Sequence, residues 1–274
     1  MFTNTFYGLT DDLVFKHVFS YKFILIDFLN SYFQFTKQAK KVLRVRINTN
    51  APINGNKRKY KIYYGDILAY LDNGEIISLE MYKRFTKKDF IKSLAYITRK
   101  FSNQFERGSN YEQPSKITSI NITQHNYYHD SKNMVSDYEF IDRYTKKIND
   151  QYLGMLLLKL DKIDSVLYNK NDRLIRWLKL INARSIDEMK KISEGDEVME
   201  QAVKFMEEFL ADEEIQDMYD KITDVAEHSK EEGMIEGKKV GIRQTARKML
   251  QDGLNIDSIA KYTGLSIPEI KELN

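Results

Sequence analysis

The chain of 274 residues contains no cysteine, so a disulfide framework and a thiolate metal site are both excluded. The lack of cysteine fits a reducing compartment, and we expect a cytoplasmic location. Long apolar runs are also missing: the most apolar stretch, residues 23–35, is interrupted by Asp27 and Asn30 and is too short to span a bilayer. Residues 1–19 carry early acids and no uninterrupted apolar core, so we expect neither a signal peptide nor a membrane partner.

The formal net charge is only +3, but the charge is unevenly distributed along the chain. Residues 1–186 hold 31 Lys and Arg against 18 acids, a local net charge of +13. Residues 187–236 hold 18 acids against 5 Lys, a local net charge of −13. A basic N-terminal body suits a polyanionic partner such as nucleic acid. The alternative is the codon bias of an AT-rich genome, which favours lysine without any functional meaning.

Hydrophobic periodicity divides the chain into a mixed part and a helical part. In the mixed part it predicts helices and strands in the following order: a helix capped by Thr10, a helix over 23–33, strands over 41–49, 60–71 and 75–84, a helix over 87–107, and strands over 117–123 and 153–160. This order predicts an α/β core with a mixed sheet at about residues 1–165. Residues 166–274 read as helices only, with one long charged helix over 215–252 and two short helices around Gly264.

Two single carboxylates lie in segments that otherwise read as buried strands. Asp66 is in the first segment and Glu80 in the second, and the Asp-Asn-Gly sequence at 72–74 between them is a strong hairpin signal. With the hairpin closed at residues 73–74, we expect Asp66 to lie opposite residue 81 or 82. It shares a face with Glu80 only in the second case, which needs a bulge or a longer turn.

Two carboxylates that converge repel each other, and one pKa rises unless a cation is present. Oxygen ligands with a few bound waters are typical of a Mg²⁺ site, which can activate water and stabilise a pentavalent phosphate. The competing interpretation is two unrelated carboxylates on a solvated sheet face. The pattern alone leaves both interpretations open.

Seven segments, in the same order, resemble motifs of the recombination-promoting nuclease (Rpn) family, also called PD-(D/E)XK nuclease family transposases. The first three segments are D-L-V-F-K-H-V-F at 12–19, the strand around Asp66, and the D-N-G turn followed by I-S-L-E-M. The next three are F-I-K-S-L-A-Y, F-E-R-G-S-N-Y and L-L-L-K-L-D-K, the last with Asp161 where the family has proline. The seventh is the tail, M-L-Q-D-G-L-N-I-D-S-I-A-K-Y-T-G-L-S-I-P-E-I. The resemblance covers nearly the whole chain.

This resemblance implies a restriction-endonuclease-like core and an endonuclease that cuts DNA with Mg²⁺ or Mn²⁺ in recombination, transposition or phage defence. It also implies roles for individual residues. Asp66 and Glu80 match the two metal-binding carboxylates of the family. Asp12 matches an acid on the first helix that completes the metal site through water.

The position two residues after Glu80 departs from the family pattern. Most relatives carry glutamine there, and the wider superfamily carries lysine, whereas this chain has Tyr82. Tyr82 itself could orient the scissile phosphate, or a cation of the next helix, Lys92 or Lys88, could have taken over. Lys83 is adjacent but should face away, because side chains alternate along a strand. The third explanation is an inactive site whose fold only binds DNA or protein.

The helical region from 166 to 274 reads as an oligomerisation or regulatory part. Its tail is similar to a helix-turn-helix, but the last helix, residues 266–273, carries two Glu and one Lys, which disfavours base readout. Two apolar faces, one with Trp177 and one with Phe205 and Phe209, need a partner surface. We therefore expect a homodimer held through the C-terminal helices, with the acidic segment competing with DNA for the basic core.

Overall fold

The chain forms two compact units in a computed structural model, Met1–Leu210 and Ala211–Asn274. In the long helix of the second unit, the structure describes only the backbone at residues 222–233, 235 and 236. The residues that the structure describes are 6–38, 40–47, 67–106, 108, 111–128, 132–147, 152–164, 169 and 171–273.

The described part of the first unit contains one six-stranded sheet. Its strands are β1 (Val45–Ile47), β2 (Ile67–Leu71), β3 (Ile76–Phe85), β4 (Ile117–Asn126), β5 (Val135–Tyr138) and β6 (Leu153–Lys159). They lie in the order β1-β2-β3-β4-β6-β5. The β3/β4 and β4/β6 pairs are parallel and the other three pairs are antiparallel, which confirms the predicted mixed sheet. Most of the strand predicted over 60–71 lies outside the described residues.

Strand β5 was not predicted from the sequence. It has four residues, of which Ser136 and Asp137 are polar, so neither alternation nor an apolar run marks it. It forms the edge of the sheet by pairing with β6, where Val135 lies opposite Leu158. Pairing with a buried neighbour therefore makes this segment a strand, and its own sequence does not.

Two helices at the start of the chain carry much of the core. They are α1 (Asp12–Phe19) and α2 (Lys22–Phe35). The predicted cap of α1, Thr10, is wrong by one residue, because the carboxylate of Asp11 accepts hydrogen bonds from the backbone N–H of Leu13 at 3.1 Å and Val14 at 3.4 Å. Val14, Phe15, Val18 and Phe19 on α1 are fully buried, as the apolar spacing requires.

Helix α3 (Lys87–Ser102) packs on the sheet through Ile97, which contacts Ile117 of β4 and Met155 of β6. The helix was predicted to continue to residue 107, but it ends at Ser102. The chain turns after Ser102, and the centre of the Phe105 ring lies 5.3 Å from that of the Phe101 ring.

Three further helices belong to the same unit as the sheet: α4 (Arg173–Asn182), α5 (Ile186–Ser193) and α6 (Glu197–Leu210). The ring of Trp177 lies 5.8 Å from that of Phe19, and Phe209 stacks on His17 of α1 at 4.2 Å. The compact units therefore divide after Leu210, whereas the sequence pattern placed a division after residue 165. The apolar faces that were expected to need a second subunit are instead buried against α1 and α2 of the same chain.

The second unit consists of α7 (Glu213–Gln251), α8 (Ile256–Thr263) and α9 (Ile267–Lys271). Buried Ala246, Ile259 and Ile270 bring the three helices together. The predicted long helix and the two short helices around Gly264 are confirmed; Gly264 has a φ of 73°, which ends α8 in the left-handed region. Among the described residues, no helix is both long and apolar enough to cross a membrane.

Candidate active site

The β2–β3 hairpin sets the position of Glu80. Three residues, 72–74, form its loop: the N–H of Leu71 donates to the carbonyl of Glu75 across it at 2.8 Å, and Gly74 has a φ of 85°. The predicted closure at 73–74 is therefore wrong, because a three-residue loop with glycine in the left-handed region adds one residue to the turn. The ladder pairs Ile67 with Leu79, the residue directly before Glu80. Asp66 lies outside the described residues.

The alternation of side chains along β3 separates a core face from a cavity face. Ile77, Leu79 and Met81 are buried on the core face. Ser78, Glu80 and Tyr82 share the other face and line a cavity of about 250 Å³. Lys83 faces away from that cavity, as expected, and its ammonium lies 3.8 Å from the Asp11 carboxylate at the start of α1.

Helix α3 supplies the second wall of this cavity. Lys92, Tyr96 and Arg99 follow one another at spacings of four and three, which places them on one helical face. Ser93 and Ala95, beside them on the helix, also line the cavity. Ser119 of β4 completes the lining. Glu80, Tyr82 and Lys92 therefore meet in one cavity, whereas Lys88 does not line it.

A buried hydrogen-bond network holds α3 over the sheet next to the cavity. The hydroxyl of Ser93 donates to Oδ1 of Asn121 at 3.0 Å. Nδ2 of Asn121 lies 3.1 Å from both the Ser119 hydroxyl and the carbonyl of Leu156. Asn121 is fully buried, so a buried polar group here needs all of these partners. The network links α3, β4 and β6, and it fixes the helix that presents Lys92 and Arg99.

Asp12, the third predicted acid, does not line this cavity. Its carboxylate accepts a hydrogen bond from the ammonium of Lys16 at 2.9 Å, one turn further along α1, and it is largely exposed. The structure thus brings Glu80, Tyr82 and Lys92 together and leaves Asp12 on the surface of α1.

The oxygen atoms of the cavity suit a hard cation, but the described residues do not complete a metal site. Glu80 is the one carboxylate among the described residues that line it, beside the hydroxyls of Ser78, Ser119 and Tyr82. No group of three or more His, Cys, Asp or Glu side chains within the described ranges could hold a metal ion. A further carboxylate, that of Asp66, lies in the sequence directly before β2.

Six of the residues around the cavity were not singled out individually from the sequence: Ser78, Ser93, Ala95, Tyr96, Arg99 and Ser119. For Arg99 a signal was present, because it lies seven residues after Lys92 and so two helical turns along the same face. The two strand serines, Ser78 and Ser119, carry no such signal, since a buried serine in a strand reads as an ordinary small residue.

No curated protein and no solved structure matches the chain. The family model described as PD-(D/E)XK nuclease family transposase matches residues 9–231, which span the sheet, helices α1 to α6 and the first half of α7. The mixed α/β sheet is the architecture that the resemblance implies. The chain belongs to the PD-(D/E)XK nuclease family transposases.

Proposed function

We propose that this chain is a divalent-metal-dependent DNA endonuclease that hydrolyses phosphodiester bonds at the cavity between β3 and α3. The observation that carries the proposal is the convergence of Glu80, Tyr82 and Lys92 in one cavity of a chain that belongs to a nuclease family. Nucleases of this family are generally dependent on divalent metal, and their substrate is DNA.

The metal-binding pair in this proposal is Asp66 with Glu80. The supporting geometry is the hairpin register, in which Ile67 lies opposite Leu79. If the same ladder continued by one residue, Asp66 would lie opposite Glu80, with both side chains on the cavity face and without a bulge. Asp12 would contact the metal ion through a bound water, and only after its ion pair with Lys16 breaks.

Mg²⁺ or Mn²⁺ held there would supply a water of lowered pKa and charge stabilisation for the pentavalent phosphate. Lys92 would place its ammonium beside the phosphate and offset the charge that develops in the transition state. Tyr82 would contribute one hydroxyl, which can donate to a phosphate oxygen but carries no charge at neutral pH. In this assignment Lys92 offsets the transition-state charge, as a lysine two residues after the glutamate does in the wider superfamily.

The alternative is a catalytically inactive relative that binds DNA or protein through the same fold. The observation that favours it is Tyr82 at the position where relatives carry glutamine or lysine. The two functions differ in whether the cavity residues matter for cutting or only for binding.

Plasmid nicking separates the two. We expect the wild type to nick or linearise plasmid DNA with Mg²⁺ or Mn²⁺, and Asp66→Ala and Glu80→Ala to lose this activity by at least about 100-fold, since each removes a ligand of the reacting centre. Glu75→Ala is the matched control, because Glu75 is a carboxylate of the same hairpin that lies outside this cavity and pairs with Lys40. Cutting that survives in either cavity variant, or in EDTA, would contradict the proposed site.

A further inference from the structure

Helix α3 is strongly basic along its length. It carries five cations, Lys87, Lys88, Lys92, Arg99 and Lys100, against a single acid, Asp89. That acid is committed to the start of the helix, where its carboxylate accepts hydrogen bonds from the backbone N–H of Thr86 at 2.9 Å and from the Thr86 hydroxyl at 2.6 Å. The positive charge of α3 is therefore not neutralised within the helix.

Two of these cations, Lys92 and Arg99, line the cavity that contains Glu80. Seven residues of α-helix separate them by about 10 Å along the axis. Neither side chain forms an ion pair with a residue in the described part of the chain, and both are exposed. A cavity that contains two cations without an ion-pair partner among the described residues favours a ligand that carries negative charges at intervals.

Lys100, the residue next to Arg99, behaves differently. Its ammonium lies 5.7 Å from the centre of the Tyr96 ring, and it does not line the cavity. Both residues are in the last turn of α3, so both interact favourably with the helix dipole to a similar extent. Both residues can therefore stabilise the end of the helix. Of the two, only Arg99 is placed to contact a ligand in the cavity.

We propose that Arg99 is a substrate-binding residue of the nuclease: its guanidinium binds a phosphate of the DNA strand other than the scissile phosphate beside Lys92. This inference rests on the proposed function. A guanidinium presents a planar fork of N–H donors that matches two phosphate oxygens, so arginine suits this position better than lysine does. The backbone positions of the two cations differ by about 10 Å along the axis, which leaves room for each cation to take a phosphate of its own.

This role predicts a change in binding rather than in the chemical step. Arg99→Gln should raise KM by roughly 10-fold and alter kcat much less, because a contact to a flanking phosphate is equally strong before and during the reaction. Arg99→Lys should recover part of the loss, since it keeps the charge but not the bidentate geometry.

Salt-dependent binding of a 20-base-pair DNA duplex in EDTA tests the inference independently of cleavage. Arg99→Gln should make the slope of log K against log salt concentration shallower by about 0.9, the contribution of one phosphate contact to duplex DNA. Lys100→Gln, which removes the same charge from the neighbouring residue, should leave the slope closer to that of the wild type.

Substitution of single phosphates by neutral methylphosphonates then identifies the contact. A substitution should weaken the binding of DNA to the wild type if a cation of the protein contacts the replaced phosphate. For the phosphate held by Arg99, the same substitution should have no further effect on Arg99→Gln, because the two changes remove one interaction.

Equal slopes for wild type and Arg99→Gln, or an equal loss in Lys100→Gln, would overturn the inference. If those results occur while wild type still nicks plasmid and Glu80→Ala does not, only the role of Arg99 fails. If wild type binds the duplex with Arg99 dependence but cuts no DNA with any divalent metal, Arg99 stands as a phosphate-binding residue and the nuclease assignment fails.

Discussion

Tyr82 stands at the position where the resemblance to the family implies glutamine or lysine. Its ring packs edge-on against Phe85, with the ring centroids 5.2 Å apart, so the hydroxyl stands at the far end of a ring held by packing. A tyrosine hydroxyl has an unperturbed pKa of about 10 and cannot supply positive charge at neutral pH. Lys92, from the opposite wall of the same cavity, can supply it.

We therefore predict that Lys92→Ala is the more damaging of two cavity variants. The change should lower kcat by roughly 100-fold, on the scale of a lost charged contact in a transition state, while Tyr82→Phe should cost less than about 10-fold. Plasmid nicking at saturating Mg²⁺ measures both, with Lys88→Ala as the control for a cation of α3 outside the cavity.

If Tyr82→Phe lowers kcat more than Lys92→Ala does, then Tyr82, and not Lys92, stabilises the transition state. A Tyr82→Lys or Tyr82→Gln protein that cuts faster than wild type would instead indicate a decayed site, which supports the inactive alternative. These outcomes are distinct because each variant changes one group of the cavity and leaves the others in place.

Among the helices, α2, α4 and the start of α6 are joined by a network of ion pairs. The guanidinium of Arg173 donates to both oxygens of Asp27 at 2.9–3.0 Å and to Asp196 at 2.7 and 3.2 Å. Trp177 Nε1 also donates to Asp27, at 2.7 Å. Asp196 is buried, so its charge depends on these partners.

We predict that Arg173→Met destabilises the first unit by about 2–3 kcal/mol. Removing one partner of a fully buried pair costs about 3–5 kcal/mol, and the value is lower here because Arg173 is 35% exposed and therefore partly screened. Lys204→Met, which breaks an exposed pair with Glu208 on α6, should cost less than about 0.5 kcal/mol. Urea unfolding of both variants and wild type gives the comparison, and similar losses in both would contradict a specific role for the network.

The elements that could be predicted from the sequence are those with a local cause. The spacing of apolar residues predicted α1 and α2, and Asp-Asn-Gly predicted the hairpin that carries Glu80. The register of that hairpin could not be predicted, because it depends on Gly74 adding a third residue to the loop. Strand β5 could not be predicted either, because its pairing with β6 is a property of the assembled sheet.

The candidate site divides in the same way. Glu80 is visible in the sequence because a carboxylate interrupts an apolar strand, and the resemblance to a nuclease family singles out its position. The approach of Lys92 and Arg99 to Glu80 depends on how α3 crosses the sheet, which the buried Asn121 network fixes through three elements. Such long-range pairing has no signature in the local sequence of any of the three.

At the scale of the whole molecule, charge is divided between the two compact units. Residues 1–210 have a net charge of +8 and residues 211–274 have a net charge of −5. Charges of opposite sign attract at low salt and are screened beyond about 10 Å at 0.1 M salt. The second unit should therefore lower the affinity of the chain for DNA, and more strongly at low salt.

We predict that a chain ending at Leu210 binds duplex DNA more tightly than the full chain below about 0.1 M salt, with the difference falling as salt rises. If the homodimer expected from the sequence is held through the helices of the second unit, the shortened chain should be a monomer in light scattering. The end point is Leu210 because α6 packs on α1 within the first unit. A melting curve should show that the shortened chain is still folded.

A full-length variant separates charge from assembly. Glu213→Gln, Asp217→Asn and Asp220→Asn together remove three exposed negative charges from α7 and keep the N-cap, Asp212, in place. If charge lowers the affinity for DNA, this variant should bind more tightly than wild type at low salt and still be dimeric. If the variant binds like wild type while the shortened chain binds more tightly, the second unit hinders DNA by occupying space and not by its charge. A shortened chain that remains dimeric would show that the dimer contact lies in the first unit.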